Sequence, residues 1–257
     1  MTTRTVESYG EHPLQVGEWW VPNDGAGTLP TVVLIHGGYW RKRYDLHLED
    51  AVAGALAERG FLVWNLDYRS SAEPWPTTLS DVAAGYDHLV SSSLAERVDR
   101  KRIAVAGHSA GGHLALWLAG RHRLPAGAPG AATPATLTPA LAVAQAPVAS
   151  LVTAAHERLG HRAAVALTGG SPAKVPERYA VADPMALLPT GVPSVCIHSA
   201  GDGPVPLSQS EAYVAAALAA GDQSELRLVP GDHFAHLDPA SPACAALWLA
   251  LAPLAPG

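Results

Sequence analysis

The sequence predicts an α/β protein with a mostly parallel sheet of eight strands and helices on both faces of that sheet. Short apolar runs rich in Val, Ile and Leu alternate with longer segments of helical periodicity. The runs are hydrophobic almost without interruption, which is typical of strands buried on both faces of a parallel sheet. This alternation favours an open, doubly covered sheet over a sandwich or a helical bundle.

The elements follow one another with few gaps. Seven strands are predicted at Leu14–Val21, Thr31–Ile35, Phe61–Leu66, Arg102–Ala106, Leu141–Ala146, Pro193–His198 and Glu225–Val229, with Thr3–Ser8 as an edge strand. Helices are predicted at His47–Arg59, Thr78–Ser91, Gly112–Arg121, Ser208–Ala220 and Pro242–Leu251. Ser241 before Pro242 is a typical N-cap followed by proline at the first helical position.

The length of 257 residues suits one domain over 1–257. Two segments interrupt the alternation. Pro125–Pro139, rich in Ala, Pro, Gly and Thr, is predicted to be a loop. Residues 147–190 separate two strands and are too many for a plain connection, so we expect a small cap insertion over the site.

Composition limits the classes of partner. Hydrophobic residues make up 48% and charged residues 16%, and the net charge is −6. A nucleic-acid-binding protein normally has a basic stripe, whereas the one tight basic cluster here is Arg41, Lys42 and Arg43. We expect a solvated turn there, with the alternative that the cluster attracts an anionic substrate to a nearby pocket.

Two cysteines, Cys196 and Cys244, do not make a disulfide framework. The first residues contain no apolar stretch of the kind found in signal peptides, and no run has the length of a membrane span. These observations predict a cytoplasmic protein that acts on a small molecule without a membrane or nucleic-acid partner. Whether it forms a homodimer is left open.

Gly107–Gly111 has the pattern G-x-S-x-G, directly after a predicted strand and before a predicted helix. In this context the pattern indicates a nucleophile on a sharp strand-to-helix turn, here Ser109. Glycines tolerate the unusual dihedral angles of such a turn, and the N-terminus of the following helix favours negative charge. The alternative is an ordinary turn between a strand and a helix, which includes the kind of turn that cradles a phosphate.

His36–Trp40 follows another predicted strand and contains two consecutive glycines. Acyl transfer develops an oxyanion that needs fixed N–H donors. We expect the backbone N–H groups of Gly38, Tyr39 and Ala110 to form this oxyanion hole. His36 is expected to hold the loop by a side-chain hydrogen bond rather than to act as a base.

A serine nucleophile needs a base, and the base needs an orienting carboxylate. Asp202 lies in a Gly/Pro turn after one predicted strand, and His233 follows the last strand. Both stand at carboxyl ends of strands, where open α/β sheets build their sites. The chain order Ser109, Asp202, His233 is the order of α/β-hydrolases.

Rivals remain for two of these roles. His236 is the alternative base. Asp183 and Asp232 are weaker alternatives to Asp202. Asp183 precedes Pro184, as a helix cap does. Asp232 is the neighbour of His233 in sequence, and adjacent residues of a tight turn rarely face each other.

The chain has 12 histidines, which raises the question of a metal. It contains neither a His-Glu-x-x-His motif nor a cysteine pair at zinc spacing, and the histidines are dispersed. No metal and no other cofactor is therefore expected.

The two glycine motifs, with Asp202–Pro206 and Asp232–Phe234, resemble the kynurenine formamidase (arylformamidase) and carboxylesterase branch of α/β-hydrolases. The similarity runs from about Thr31 to Leu251, and the His-Gly-Gly-x-Trp loop is its more discriminating part. The resemblance implies an α/β-hydrolase fold and hydrolysis of an N-formyl aryl amide, N-formylkynurenine being the family substrate, through a formyl-enzyme.

Several aromatic residues fall on loops at the carboxyl end of the predicted sheet. They could form a wall for an aniline-like leaving group, or they could pack the loops together. These residues are Tyr39, Trp40, Tyr68, Trp75 and Phe234.

Three hypotheses follow: an arylformamidase, a carboxylesterase for short acyl esters, and a non-catalytic ligand receptor on the same fold. The motifs do not separate the first two, which share one mechanism. The third is disfavoured because a serine, a histidine and an aspartate stand at all three expected positions.

Overall fold

The sheet of the computed structural model, which describes residues 2–23 and 27–256, has eight strands in the order β1-β2-β4-β3-β5-β6-β7-β8. The two outer pairings β1–β2 and β2–β4 are antiparallel, and all the others are parallel. The strands are β1 Thr3–Ser8, β2 Val16–Val21, β3 Leu29–Ile35, β4 Leu62–Leu66, β5 Val98–His108, β6 Leu141–Gln145, β7 Ser194–Ser199 and β8 Ser224–Val229. The predicted fold class is confirmed.

Helices cover both faces of this sheet. They are α1 Asp50–Glu58, α2 Thr77–Asp87, α3 Ala110–Gly120, α4 Leu151–His156, α5 Leu159–Thr168, α6 Pro176–Ala182, α7 Ser208–Ala219 and α8 Pro242–Leu251. Apolar residues of α1 and α8 pack on one face, and those of α2, α3 and α7 pack on the other. In the part of the chain that the structure describes, no helix is long and apolar enough to cross a membrane.

Strand register brings the carboxyl ends of the central strands together. Ile35 of β3 pairs with Gly107 of β5, and His108 pairs with Gln145 of β6. Further along the sheet, Ser199 of β7 pairs with Val229 of β8. Loops that leave β3, β5, β7 and β8 therefore begin at one edge, which is where binding sites of open α/β sheets lie.

The largest departure from the predicted strands is β5, which starts four residues earlier than the apolar run beginning at Arg102. After the buried Val98, the first residues of β5 are the polar, partly or fully exposed Asp99–Lys101, so hydrophobicity could not mark this start. It belongs to the strand because Val98 pairs with Leu29 across a shift in register. The predicted helix at His47–Arg59 is likewise divided into a short 3₁₀ turn, Leu46–Glu49, followed by α1.

Residues 147–190 contain α4, α5 and α6, which pack on the same side as α3. The side chains of His113 and Trp117 in α3 bond to the carbonyl oxygens of Ala182 and Val181, at 2.9 and 2.8 Å. The segment is thereby anchored to the helix that follows the G-x-S-x-G turn.

Glu49 is a buried acid that forms no ion pair within the described chain. Its side chain is inaccessible, and neither carboxylate oxygen has a hydrogen-bond partner among the described residues. Burial disfavours the charged form and raises the pKa of Glu49 from 4.5 to about 8. The folded protein consequently keeps this carboxyl protonated at neutral pH, whereas the unfolded chain releases the proton.

We expect Glu49→Gln to remove a pH-dependent loss of stability. Between pH 4.5 and about 8 the folded state binds the extra proton, so the free energy of unfolding of the wild type falls as pH rises through this window. Glutamine is neutral in both states. The stability of the variant relative to the wild type should therefore rise by about 3–5 kcal/mol from pH 5 to pH 9, measured by urea unfolding.

Glu58→Gln, an exposed position in α1, provides the matched control and should leave the pH dependence unchanged. If the free energy of unfolding changed with pH in the same way in Glu49→Gln and in the wild type, Glu49 would be ionised in the folded protein.

Candidate active site

Ser109 occupies a sharp turn between β5 and α3. Its backbone has φ 58° and ψ −116°, a conformation that L-residues rarely adopt. The Ser109 N–H donates to the carbonyl oxygen of Gln145 at 2.7 Å, which ties the turn to the neighbouring strand. The structure therefore places this serine in the geometry that the motif predicts.

The glycines of the motif allow the backbones to meet. A Cβ atom on Gly111 would lie 1.9 Å from the carbonyl oxygen of Ile35, and one on Gly107 would lie 2.4 Å from the carbonyl oxygen of Gly111. Neither position has room for any side chain, because the atoms in the way are backbone. The small residues thus bring β3 close to the Ser109 turn.

His233 and Asp202 form a hydrogen-bonded pair. The Nδ1 atom of His233 lies 2.6 Å from Oδ2 of Asp202, and both side chains are at least 95% buried. The other carboxylate oxygen of Asp202 accepts the N–H of Val205 at 2.8 Å. The ring of His233 is therefore oriented by a carboxylate that is itself held in place.

Ser109 and His233 line one cavity of about 530 Å³. Its wall includes Gly38, Tyr39 and His108, and its rim includes Phe234, which is 63% exposed. Residues of three segments, the loop after β3, the serine turn and the loop after β8, thus meet around a single cavity. This arrangement can hold a small molecule against the serine hydroxyl.

The three N–H groups proposed for the oxyanion hole lie at this cavity or at its serine. Gly38 and Tyr39 have φ values of 105° and 53°, which turn the loop sharply after β3. Among the hydrogen bonds of the described chain, neither of these N–H groups donates to a protein acceptor. Ala110 is the first residue of α3, where helical N–H groups have no intrahelical partner.

His36 supports the loop, as the sequence predicts. Its Nε2 atom is 3.2 Å from Oδ1 of Asp67, and its ring stacks on Tyr68 with centroids 4.3 Å apart. The Tyr68 hydroxyl donates to the carbonyl oxygen of His36 at 2.9 Å. These contacts fix the start of the loop.

His236, the rival base, lies outside the cavity wall. It is completely buried, and its Nε2 atom is 3.2 Å from the hydroxyl of Ser199. Burial, together with the nearby rings of His233 and His198, lowers the pKa of His236 to about 3. Of the two histidines, His233 lines the cavity together with Ser109, and His236 does not.

The rival acids are helix caps. Asp183 accepts the N–H groups of Met185 and Val152, at 3.1 and 3.0 Å. Asp232 accepts those of Phe234 and Ala235 through one oxygen. Neither aspartate bonds to His233 among the described contacts.

Three of the aromatic residues predicted to contact substrate lie away from the cavity wall. Trp40 is 1% exposed and packs edge-on against His113, at 5.1 Å between ring centroids. Tyr68 is buried against His36, and Trp75 is half-buried against the core, with the Arg178 guanidinium 6.0 Å from its ring centre. Because loop packing takes up these rings, the predicted aromatic wall is corrected to Tyr39, Phe234 and Tyr44.

Sequence reasoning missed two histidines beside the pair. His108 donates through Nε2 to the carbonyl oxygen of His233 at 2.9 Å, and the two rings lie 4.4 Å apart. Burial and the neighbouring His233 and His236 rings hold the pKa of His108 well below its ordinary value. His198 Nε2 lies 3.5 Å from Asp202. The position of His108, next to Ser109 in the motif, was the one available signal.

Possible metal ligands cluster elsewhere. Within the described chain, Glu18, His47 and Asp50 could together reach one ion, but Arg4 already pairs with both carboxylates, at 2.5 and 3.2 Å. None of these residues lines the cavity.

The fold and the arrangement of Ser109, Asp202 and His233 define the class of this protein as that of the α/β-hydrolases. The chain belongs to the BD-FAE family, whose model matches residues 18–217.

Curated relatives share part of the chain. Carboxylesterase NlhH of Mycobacterium tuberculosis is 35% identical over 118 residues, 45% of this chain and 36% of the relative. Kynurenine formamidase of Debaryomyces hansenii is 34% identical over 119 residues, 44% of this chain and 38% of the relative. A probable isoprenylcysteine alpha-carbonyl methylesterase of Oryza sativa subsp. japonica is 33% identical over 109 residues, which are 42% of this chain and 25% of the relative. The aligned region thus spans about a quarter to two fifths of these relatives.

The fold itself matches over nearly the whole chain. Esterase B of Lactobacillus rhamnosis superposes with a TM-score of 0.83 at 22% identity, covering 98% of this chain and 86% of that one. The resemblance to the formamidase and carboxylesterase branch is confirmed at the level of fold and family.

Proposed function

We propose that this protein is a serine esterase that hydrolyses small esters through an acyl-enzyme. The observation that carries the proposal is the 2.6 Å His233–Asp202 hydrogen bond beside a cavity that Ser109 also lines. Relatives named carboxylesterase and esterase support the ester as substrate.

The proposed reaction begins with attack of the Ser109 hydroxyl oxygen on the ester carbonyl. His233 takes the hydroxyl proton on Nε2, because Asp202 holds the other ring proton on Nδ1. The carbonyl oxygen becomes an oxyanion and accepts hydrogen bonds from the N–H groups of Gly38, Tyr39 and Ala110.

His233 then donates its proton to the departing alcohol as the carbonyl re-forms. A water molecule, deprotonated by His233, attacks the acyl-enzyme, and the same histidine returns the proton to Ser109. The neutral state of His108 and His236 suits this cycle, since a second positive ring would oppose protonation of His233.

An aryl formamide is the second candidate substrate. The relative named kynurenine formamidase favours it, and so do the Tyr39, Tyr44 and Phe234 side chains of the cavity, which could contact an aromatic leaving group. The same residues would act, with an aniline leaving in place of an alcohol.

Hydrolysis of p-nitrophenyl acetate, butyrate, hexanoate and decanoate, beside N-formylkynurenine, tests both candidates. We expect kcat/KM to fall by about tenfold or more from butyrate to decanoate, because the acyl group must fit the end of the cavity at the buried Ser109. An organophosphonate should add to Ser109 alone, as seen by peptide mass spectrometry.

Formamide turnover well above ester turnover would make the protein an arylformamidase with the same mechanism. Absence of turnover of every substrate, together with an unlabelled Ser109, would contradict the proposal.

A further inference from the structure

The cavity at Ser109 carries more positive charge than the rest of the protein. Its lining includes Arg41, Arg43 and Arg158 and one acidic residue, Glu157. Three positive charges and one negative charge give +2, in a chain whose net charge is −6. Positive charge at the mouth of a cleft raises the local concentration of anions.

These three arginines have no carboxylate partner in the described chain. The ion pairs within 4.0 Å include Arg4, Arg69 and Arg121, each bonded to an acid, but none of the cavity arginines. No ion pair within the described chain therefore takes up their charge, and the lining keeps an excess of two positive charges.

Neutral groups hold two of the guanidinium groups in place. Arg41 donates to the carbonyl oxygen of Gly160 and lies 5.7 Å from the centre of the Tyr39 ring. Arg43 lies 4.6 Å from the centre of the Tyr44 ring. Contacts with aromatic rings and carbonyl groups orient an arginine and leave its charge available.

The third arginine is presented by an unusual turn at the start of α5. Arg158, Gly160, His161 and Arg162 all have left-handed backbone angles, with φ between 52° and 67°. Such angles are strained for every residue other than glycine and persist only where the surroundings impose them. Gly160 lies so close to Tyr39 that a Cβ atom would be 2.5 Å from the ring. The turn and the Tyr39–Arg43 segment are thus packed into one wall of the cavity.

We propose that the substrate carries an anionic group, a carboxylate, that binds to Arg41, Arg43 and Arg158 while its ester carbonyl lies at Ser109. Ser109 is 2% exposed, whereas Arg43 and Arg158 are exposed at the rim, so the cavity leads from the reacting carbonyl towards the charges. The anionic group belongs to the part of the substrate that extends towards the rim. This inference rests on the proposed esterase function and narrows its substrate class.

Two matched pairs of esters test the inference. 3-Carboxyphenyl acetate and 3-carbamoylphenyl acetate differ by one charge on the leaving group. p-Nitrophenyl hydrogen adipate and p-nitrophenyl adipamate differ by one charge on the acyl group. Each kcat/KM is divided by the rate constant for hydroxide hydrolysis of the same ester, which removes electronic differences.

We expect the anionic member of at least one pair to be preferred by about tenfold or more, since charge-assisted hydrogen bonds to arginine are strong. The triple variant Arg41→Gln/Arg43→Gln/Arg158→Gln should reduce that preference to less than about threefold, and so should 0.5 M NaCl in the wild type. Arg43→Gln/Arg158→Gln, which spares the Arg41–Gly160 contact, should reduce it part of the way.

Lys42→Gln is the matched control, because Lys42 stands between two of the arginines and does not line the cavity. It should keep the preference of the wild type. The inference would be overturned if the normalised kcat/KM were the same for both members of both pairs. It would also be overturned if the triple variant kept the preference for the anionic ester. Failure of the esterase proposal is separate: it would appear as no Ser109-dependent turnover of the two neutral esters.

Discussion

Ser109→Ala is expected to lower kcat/KM for ester hydrolysis by about 10⁴-fold or more, the largest effect of any single change considered for this protein. In the proposed mechanism the hydroxyl oxygen of Ser109 forms the bond to the acyl group. The turn between β5 and α3, where Ser109 has a φ of 58°, contains no second hydroxyl side chain. Alanine keeps the Cβ atom and hence the same backbone strain, so the folded structure should be retained. Steady-state kinetics with p-nitrophenyl butyrate provide the measurement.

Ser194→Ala is the matched control for this change. Ser194 is also a buried serine, but it lies at the amino end of β7, where its hydroxyl pairs with that of Ser224 at 2.8 Å. Its loss should leave kcat/KM within about threefold of the wild type. Activity that survives in Ser109→Ala would remove the serine mechanism.

Asp202→Asn is expected to lower kcat/KM by about 10³–10⁴-fold. The two carboxylate oxygens accept from two different donors, the Nδ1–H of His233 and the N–H of Val205. An asparagine has one oxygen for these two donors. With its oxygen on Val205, its NH₂ group faces Nδ1 of His233 and moves the ring proton to Nε2, so the ring cannot accept the serine proton.

Asp232→Asn tests whether this loss depends on position. Asp232 adjoins His233 and accepts both of its N–H donors through the same oxygen, a role that the amide oxygen of asparagine fills equally well. This variant should retain nearly all activity. If Asp202→Asn kept more than about a tenth of the wild-type kcat/KM, the proposed role of Asp202 would be wrong.

The central strands β3, β4, β6 and β7 could be predicted because they are buried on both faces. The bounds of β6 differ from the apolar run by one residue at one end. The start of β5 could not be found in this way, because Asp99–Lys101 are polar and because its place in the sheet depends on the pairing of Val98 with Leu29 of β3.

The candidate site was predictable to the extent that its residues follow strands. Parallel strands end at one edge, so residues just beyond β3, β5, β7 and β8 must meet there, whatever packs around them. That rule brings His36–Trp40, Ser109, Asp202 and His233 together.

Side-chain direction within the loops was not predictable. Trp40 and Tyr39 are neighbours in sequence, yet Trp40 is buried against His113 while Tyr39 lines the cavity. Both have positive φ values, and the direction of each side chain follows from the backbone turn that Gly38 begins. A residue list cannot show such a turn.

The sequence by itself determined the class of fold, the order of Ser109, Asp202 and His233 and the place of each at a strand end, because hydrophobic periodicity and glycine spacing are local properties of the chain. Only the tertiary structure decided the cavity wall. Arg41 and Arg43 are separated from Arg158 by more than a hundred residues of sequence and meet through packing of the turn at Gly160 on Tyr39. Contacts of this range depend on how the whole chain packs, so the sequence could offer an anionic substrate only as an alternative reading of the Arg41–Arg43 cluster and could not bring Arg158 to the same cavity.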